Sequence, residues 1–358
     1  MTRSNKMEPI NETAGSAALV TEGGKKGIPG STLKIFAIVT MFIDHFGAVI
    51  LESYMKQFST DPEVIAETVN SGTQTWLMVV SIVDMLFRCI GRMAFPIFIF
   101  LLVEGFMHTH NRAKYASRLF LFALISEIPF NLALTGHAFS KPFTGVTFGF
   151  QSVFWTLLCG FLFMCYAEFI RSKKLPDIAY IGTSILSIAL CAFASYKGVY
   201  FMGQLASFAG VNDEKVATIL DVTVPTVAFV VFLIIFCIKK GKEEMFRLTS
   251  VLVGLFVLML AAKYGNTDYN MWGVLAIAFA YFFKENKTNS MLATVIVLTT
   301  MSIIEAFAFF DLILIKRYNG ERGLKIKYFF YAFYPVHLFI FYTISWLLGH
   351  QPGGFLGF

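Results

Sequence analysis

The sequence predicts an all-α fold: a polytopic integral membrane helical bundle of about ten transmembrane segments, one of them a short hairpin or re-entrant pair. Three observations carry this. Of 358 residues, 56% are hydrophobic and only 15% charged, against about a quarter charged in soluble domains. Apolar runs of about 20 residues, enough to cross the hydrocarbon core, recur along nearly the whole chain. The basic residues gather in short connections beside those runs, as in RSKK (171–174), KKGKEEMFR (239–247) and KENK (284–287). That pattern is a topology signal, and with it the net charge of +6 gives no reason to expect nucleic acid as a partner.

Taken in order, residues 1–32 contain neither an apolar core run nor a small-residue cleavage site and read as a disordered cytoplasmic tail. Apolar runs follow at 33–51, 86–107, 115–134, 152–170, 178–196, 222–238, 246–263, 271–283, 289–315 and 328–348, and 349–358 forms a C-terminal tail. Residues 76–85, with Trp76 and Asp84, make the second run too long for one crossing and are expected along the outer interface. Lys and Arg mark the cytoplasmic side, so the N-terminus lies inside and 52–75, 135–151, 197–221 and 264–270 lie outside. A single span over 289–315 would put KRYNGERGLKIK (316–327) outside, against the charge rule. A hairpin of two short helices restores it and sets Glu305 near the turn.

Residues 33–348 therefore make one membrane domain, with no internal repeat of 20–50 residues. The five cysteines lie in apolar stretches with no zinc or disulfide spacing, so no metal site is expected. Gly-Gly-Lys-Lys-Gly at 23–27 lacks the P-loop spacing and its preceding strand. The 41 phenylalanines are lipid-facing bulk, and His108 and His110 are solvated loop residues.

Chemistry is expected where ionisable residues interrupt the apolar runs, because a charge at mid-bilayer costs about 2.5 to 3.5 kcal/mol on insertion scales and must meet a partner or a water-filled site. Asp44 and His45 interrupt the first run. Lys34 stands eleven residues before His45 and returns to within about 20° of the same face, about 16 Å along the axis. Asp84, Arg88 and Arg92 share a face of the second run. His45, Arg92 and Glu127 each fall about six or seven residues from the outer end of their helices, so they converge on one level in the outer half of the bundle. Gln151, Asp268 and Tyr269, at outer helix ends, would roof that level. At the inner face, Glu104, Arg112, Lys114 and Arg118 surround the connection between the second and third runs. Asp44, about 100° round the helix from His45, is better placed to pair with Arg88 or Arg92 than to orient that imidazole. Bland readings exist for each: a structural ion-pair network, positive-inside determinants, and packing histidines at His45 and His337.

The stretches LKIFAIVTMFIDHFGAVI, RCIGRMAFPIFIFLLVEGFMHTHNRAKYASRLFLFALISEIPFNLAL, FGFQSVFWTLLCG, TDYNMWGVL, KRYNGERG and KYFFYAFYPVHLFIFY resemble the TraX family over nearly all of residues 33–348. That family is named for a conjugation protein implicated in acetylating the pilin amino terminus. More distantly, it is similar to the membrane acyltransferase type 3 superfamily, whose first helix carries Arg, ten residues, then a catalytic His. Here Lys34 and His45 stand at that spacing. Lysine keeps the charge and loses the bidentate fork.

The resemblance implies a membrane-bound acetyltransferase in the cell membrane, by its family a bacterial cytoplasmic membrane, using cytoplasmic acetyl-CoA as donor. The acceptor is an amine or hydroxyl at the outer side: a pilin or other peptide N-terminus, a surface glycan or a small amine. On that reading Lys34, Glu104, Arg112, Lys114 and Arg118 hold the CoA end. His45 acts as general base or carries the acetyl group briefly as an acyl-imidazole, with Asp44, Arg92, Glu127 and His337 in the catalytic set. Arg88, Gln151, Asp268 and Tyr269 face the acceptor. Arg88, Arg92 or Gln151 would supply the oxyanion donor. The 197–221 segment, with VNDEK, is expected to vary and to shape acceptor choice. Two other classes compete: a proton-coupled transporter, which would use the same intramembrane charges but often carries a repeat, and a non-catalytic membrane scaffold.

Overall fold

The computed structural model describes residues 26–58, 73–137, 149–173, 176–198, 214–324 and 327–350. Most of the expected N-terminal tail, residues 59–72 and 138–148 of two expected outer connections, most of the variable segment and most of the C-terminal tail lie outside the described residues.

The described chain is helical in the order α1 Gly30–Phe46, a π turn Gly47–Leu51, α2 Glu52–Lys56, α3 Thr73–Gly91, α4 Ala94–Met107, α5 Arg112–Thr135, α6 Val153–Ser172, α7 Asp177–Gly198, α8 Glu214–Lys240, α9 Lys242–Tyr264, α10 Asn270–Phe282, α11 Lys287–Met301, a 3-10 segment Ile303–Phe310, α12 Asp311–Arg317 and α13 Lys327–Leu347. Eight helical stretches among the described residues are long and apolar enough to cross a membrane, and Asn270–Phe282 is a shorter apolar helix. The chain is a multi-pass membrane protein. Every basic connection falls at one end of the bundle, here called the basic end: the start of α5, the ends of α6 and α10, and the α8–α9 junction.

One departure from the sequence expectation and one expectation that holds position the site. Residues 76–85 do not form a separate interfacial segment; they belong to α3, which runs with α4 as one stretch of 35 residues, about 52 Å at helical rise. It is broken only at Arg92–Met93. The break has a local cause, since Pro96 in the first turn of α4 has no N–H to give the Arg92 carbonyl and its ring crowds that oxygen. Met93 N–H turns instead to the Ile90 carbonyl. The ninth run, 289–315, is not one helix, as the charge rule predicts. Ser302 is extended at φ −153° and ψ 136°, and the chain then returns along α11 as the 3-10 segment and α12. The ends of this hairpin meet, because the Lys287 ammonium donates to the carbonyls of Tyr318 and Lys316. Single cysteines at Glu285 and Lys316 should therefore label from the same side of sealed vesicles; labelling from opposite sides would rule the hairpin out.

Packing holds the two halves together through one large aromatic core around α4, α5, α6, α10 and α13. A smaller core of Leu33, Ala37, Ile97, Phe100, Met291, Val295, Ala308 and Ile315 seats the hairpin against α1 and α4. The basic end is closed by backbone pairing: Ile28 N–H donates to the Arg317 carbonyl, and Gly30 N–H to that of Glu321, at 2.8 and 2.7 Å. Between α7 and α9, in the lipid-facing part, hydroxyls pair across the helices, Thr183 with Ser250 and Ser184 with Thr249, both at 2.9 Å. α7 and α8 hang on this side of the bundle, away from the charged residues.

Candidate functional site

His45 lies in the last turn of α1, two residues before the π turn begins, an irregularity that is over-represented at functional sites. It sits fifteen residues from the start of its helix, as Arg92 does from the end of α4 and Glu127 from the start of α5, so all three lie about 22 Å from the basic end. The expected common level is present.

At that level His45 Nδ1 and His337 Nε2 are 2.6 Å apart, and both rings are buried. His337 Nδ1 lies 2.6 Å from the Phe333 carbonyl oxygen. A carbonyl only accepts, so His337 carries its proton on Nδ1; in a neutral ring its Nε2 then offers a lone pair, and His45 Nδ1 must donate to it. The remaining nitrogen, His45 Nε2, keeps its lone pair. Two rings thus fix one tautomer of the first by a chain of hydrogen bonds that ends on the backbone of α13.

Asp44 faces away from this pair, as its helical angle requires. Its Oδ1 accepts from Arg88 Nη1 at 2.8 Å and Arg92 Nη2 at 3.2 Å. Gly91 makes that approach possible, because a Cβ there would collide with the Asp44 side chain. Arg92 also donates through Nη1 to Glu305 Oε1 at 3.1 Å and through Nε to the Arg88 carbonyl at 3.1 Å. Arg88 Nε is 3.9 Å from Glu52. Asp84 packs against Gly47 with its Oδ1 buried and unbonded, so it joins the expected trio by field and not by contact. The network ties α1, α3, the helix break and the hairpin into one unit.

Two spaces meet here. An inner chamber of about 70 Å³ is walled by Asp44, His45, Phe95, Val153 and Tyr334 among others. An outer cavity of about 570 Å³, at the end of the bundle opposite the basic one, is lined by Thr135, Asn266, Asn270, Ser302 and Glu305. Arg88, Arg92, Asp268 and Tyr269, with Leu134 and Phe150, line both and separate them by no more than one layer of side chains. The loop that supplies Asp268 is strained: Asn266, Tyr269 and Asn270 all have positive φ, at 48°, 58° and 29°. Such backbone persists only where its surroundings over-determine it. Gln151 does so, donating its N–H to the Asn266 carbonyl at 3.0 Å and accepting from Asp268 N–H at 2.9 Å, while Tyr269 stacks on Phe95 at 3.8 Å. Burial pushes the Asp268 carboxyl up to about 6, against the opposing pull of Arg92.

Of the expected residues, the structure gathers His45, His337, Asp44, Arg88, Arg92, Asp268 and Tyr269. It does not bring Glu127 or Gln151 to either space. Glu127 accepts from Asn131 at 2.9 Å, Trp155 Nε1 at 3.1 Å and Ser152 N–H at 3.4 Å, and so clamps α5 to the start of α6. Gln151 Nε2 donates to the Gly149 carbonyl, and its role is to pin the strained loop. At the basic end, Lys34 lies over the Phe330 ring at 5.5 Å, Arg112 over Phe106 at 4.4 Å and Arg118 over Tyr115 at 5.5 Å. Glu104 accepts from the Tyr318 hydroxyl at 3.3 Å, and Lys114 is exposed on the first turn of α5. These five lie at the basic end, on α1, α4 and the first turns of α5. On α13, Phe330 lies under Lys34, and Phe333 stacks on His337, which stacks on His45.

Glu305, Glu52 and Tyr334 also belong to the site. Glu305 had a signal, as one of two carboxylates in the apolar run 289–315. The other, Asp311, is buried with both oxygens unbonded beside the smaller core. Among the described residues no group of three or more His, Cys, Asp and Glu is arranged to hold a metal ion.

Residues 29–202 and 217–345 match the family model described as TraX protein. The chain belongs to the TraX family. The TraX match skips 203–216, inside the segment expected to vary. A stretch of 95 residues is 27% identical to the probable fimbrial assembly protein FimC, serogroup H1, of Dichelobacter nodosus; it covers 26% of this TraX chain and 28% of that relative. The chain thus spans little more than a quarter of the relative's length. No solved structure matches this TraX protein.

Proposed function

We propose that this protein is a membrane acetyltransferase of the cell membrane, its basic end in the cytoplasm, that moves the acetyl group of acetyl-CoA to an amine or hydroxyl presented from the opposite side. The observation that carries this is His45: one imidazole, its tautomer fixed by His337, with a lone pair on Nε2, at a small chamber that shares a charged wall with a polar cavity. That is the arrangement a general base for acyl transfer needs. The two ends of the bundle suit two different reactants. Lys34, Arg112, Lys114 and Arg118 offer the CoA phosphates positive charge at the basic end, and the aromatic contacts of α13 run from Phe330 beside Lys34 to the imidazole pair. The outer cavity, with Asp268 and Glu305 in its wall, suits a polar acceptor, and the family resemblance and the fimbrial relative favour a pilin or another peptide N-terminus.

In the direct route the acceptor's N–H or O–H gives its proton to His45 Nε2 as its heteroatom attacks the thioester carbonyl. The tetrahedral adduct then reforms the carbonyl, the C–S bond breaks, and the imidazolium returns the proton to the thiolate. The protein reconstituted in lipid discs with labelled acetyl-CoA should acetylate an acceptor peptide; absence of transfer to peptide, glycan and small-amine acceptors alike would refute the reading. Arg118→Ala should raise the apparent KM for acetyl-CoA more than it lowers kcat, since it removes binding that ground and transition states share. Unchanged donor dependence in Lys34, Arg112 and Arg118 variants together would place the donor elsewhere.

A further inference from the structure

Tyr334 stands three residues before His337 on α13, on the same helical face, and meets both imidazoles edge-on at 5.9 Å. It is buried, it walls the inner chamber, and its hydroxyl proton has no acceptor. A buried phenol normally finds one, so an orphaned hydroxyl at the chamber wall points to a group that arrives only with the reactant. The Val153 N–H reaches the phenol oxygen as a donor, so what the hydroxyl lacks is an acceptor for its own proton. That N–H belongs to the first turn of α6, where backbone donors have no intrahelical acceptor, and the Ser152 side chain does not cap it.

The donors that the sequence suggested for the developing negative charge are occupied. Arg92 is engaged by Asp44, Glu305 and the Arg88 carbonyl, Arg88 by Asp44, and the Gln151 amide by Gly149. Tyr334 is not. We propose that the Tyr334 hydroxyl donates to the acyl carbonyl oxygen in the inner chamber and stabilises the oxyanion that forms on it. This rests on reading the chain as an acetyltransferase. When the acceptor attacks, the carbonyl π pair moves onto that oxygen; the phenol hydrogen bond shortens without transferring its proton, and the pair returns as the C–S bond breaks. Tyr334 is therefore a catalytic residue that changes no protonation state over the cycle.

Tyr334→Phe keeps the ring and removes only the donor. Turnover should fall about 100- to 1,000-fold, the usual effect of losing one oxyanion donor, with the KM for acetyl-CoA and the melting temperature little changed. Isotope-edited infrared of carbonyl-labelled acetyl-CoA bound to His45→Ala protein, which cannot turn over, should show the carbonyl stretch lowered, and the shift should vanish when Tyr334→Phe is added. Fluorotyrosine in place of Tyr334, which alters the acidity of the hydroxyl and not its shape, should change turnover as well. Near-wild-type turnover in Tyr334→Phe, or a carbonyl stretch insensitive to it, would overturn the assignment while leaving the acetyltransferase reading intact. A wild-type protein inert toward acetyl-CoA would overturn both.

Discussion

His45→Ala should abolish acetyl transfer while the protein still inserts, folds and binds CoA. Loss of a general base alone costs about 100- to 10,000-fold in rate, and His45 has the positional qualifications: it walls the chamber, and its Nε2 lone pair is left over after the hydrogen-bond chain through His337 to the Phe333 carbonyl is satisfied. His337→Ala tests the same chain from the other end. It removes the acceptor that fixes the His45 tautomer but leaves the base in place, so the defect should be real and smaller. The measurement is single-turnover transfer to a peptide acceptor, with CoA binding assayed separately. If His45→Ala turned over normally and His337→Ala were dead, the roles would be reversed and the tautomer argument would fail.

Arg92→Met should produce the largest loss of stability among single changes at the site. Arg92 bridges Asp44 and Glu305 at 3.2 and 3.1 Å, and the Glu305 side chain is 0% exposed. Removing one partner of a buried pair leaves the other charge uncompensated and typically costs about 3–5 kcal/mol. Because Glu305 lies on the hairpin and Asp44 on α1, the expected consequence is that the hairpin detaches before the rest of the bundle melts, which labelling of a cysteine at the buried Ala308 would report. Adding Glu305→Gln to Arg92→Met should recover part of the loss, since the orphaned charge is gone; a coupling of about 0.5–3 kcal/mol is the usual range for residues in one network. If Arg92→Met melted like the wild type, the network would be ornamental and Asp44 would need another explanation.

Much of this molecule follows from local rules. Apolar runs gave the spans because lipid leaves a backbone no hydrogen-bond partner but itself. The clash of KRYNGERGLKIK with the charge rule gave the hairpin, which the Ser302 break and the Lys287–Tyr318 closure display. The common level of His45 and Arg92 was legible because helical rise is constant, and the turning of Asp44 away from His45 because helical angle is. Glu127 shows the limit. It has the right depth, yet it is spent on Asn131, Ser152 and Trp155, since depth says nothing about which way a neighbouring helix faces. Residues 76–85 run into the second span as one helix and do not stand apart from it, because an apolar count cannot see where a helix begins.

By itself, then, the sequence determined that this is a helical membrane bundle with buried charges on one level, because period, rise and the cost of a lone charge in lipid act along one chain segment at a time. Only the tertiary structure decided which charge meets which. His45 and His337 are 292 residues apart and Arg92 and Glu305 are 213 apart, and their meeting depends on the rotation and closeness of separate helices. Small local features set that rotation: Gly91 admits Asp44, Pro96 breaks the helix at Arg92, and Ser302 turns Glu305 back toward it. The unpaired Tyr334 hydroxyl proton is likewise a property of the packed chamber, for a donor is orphaned only by what surrounds it.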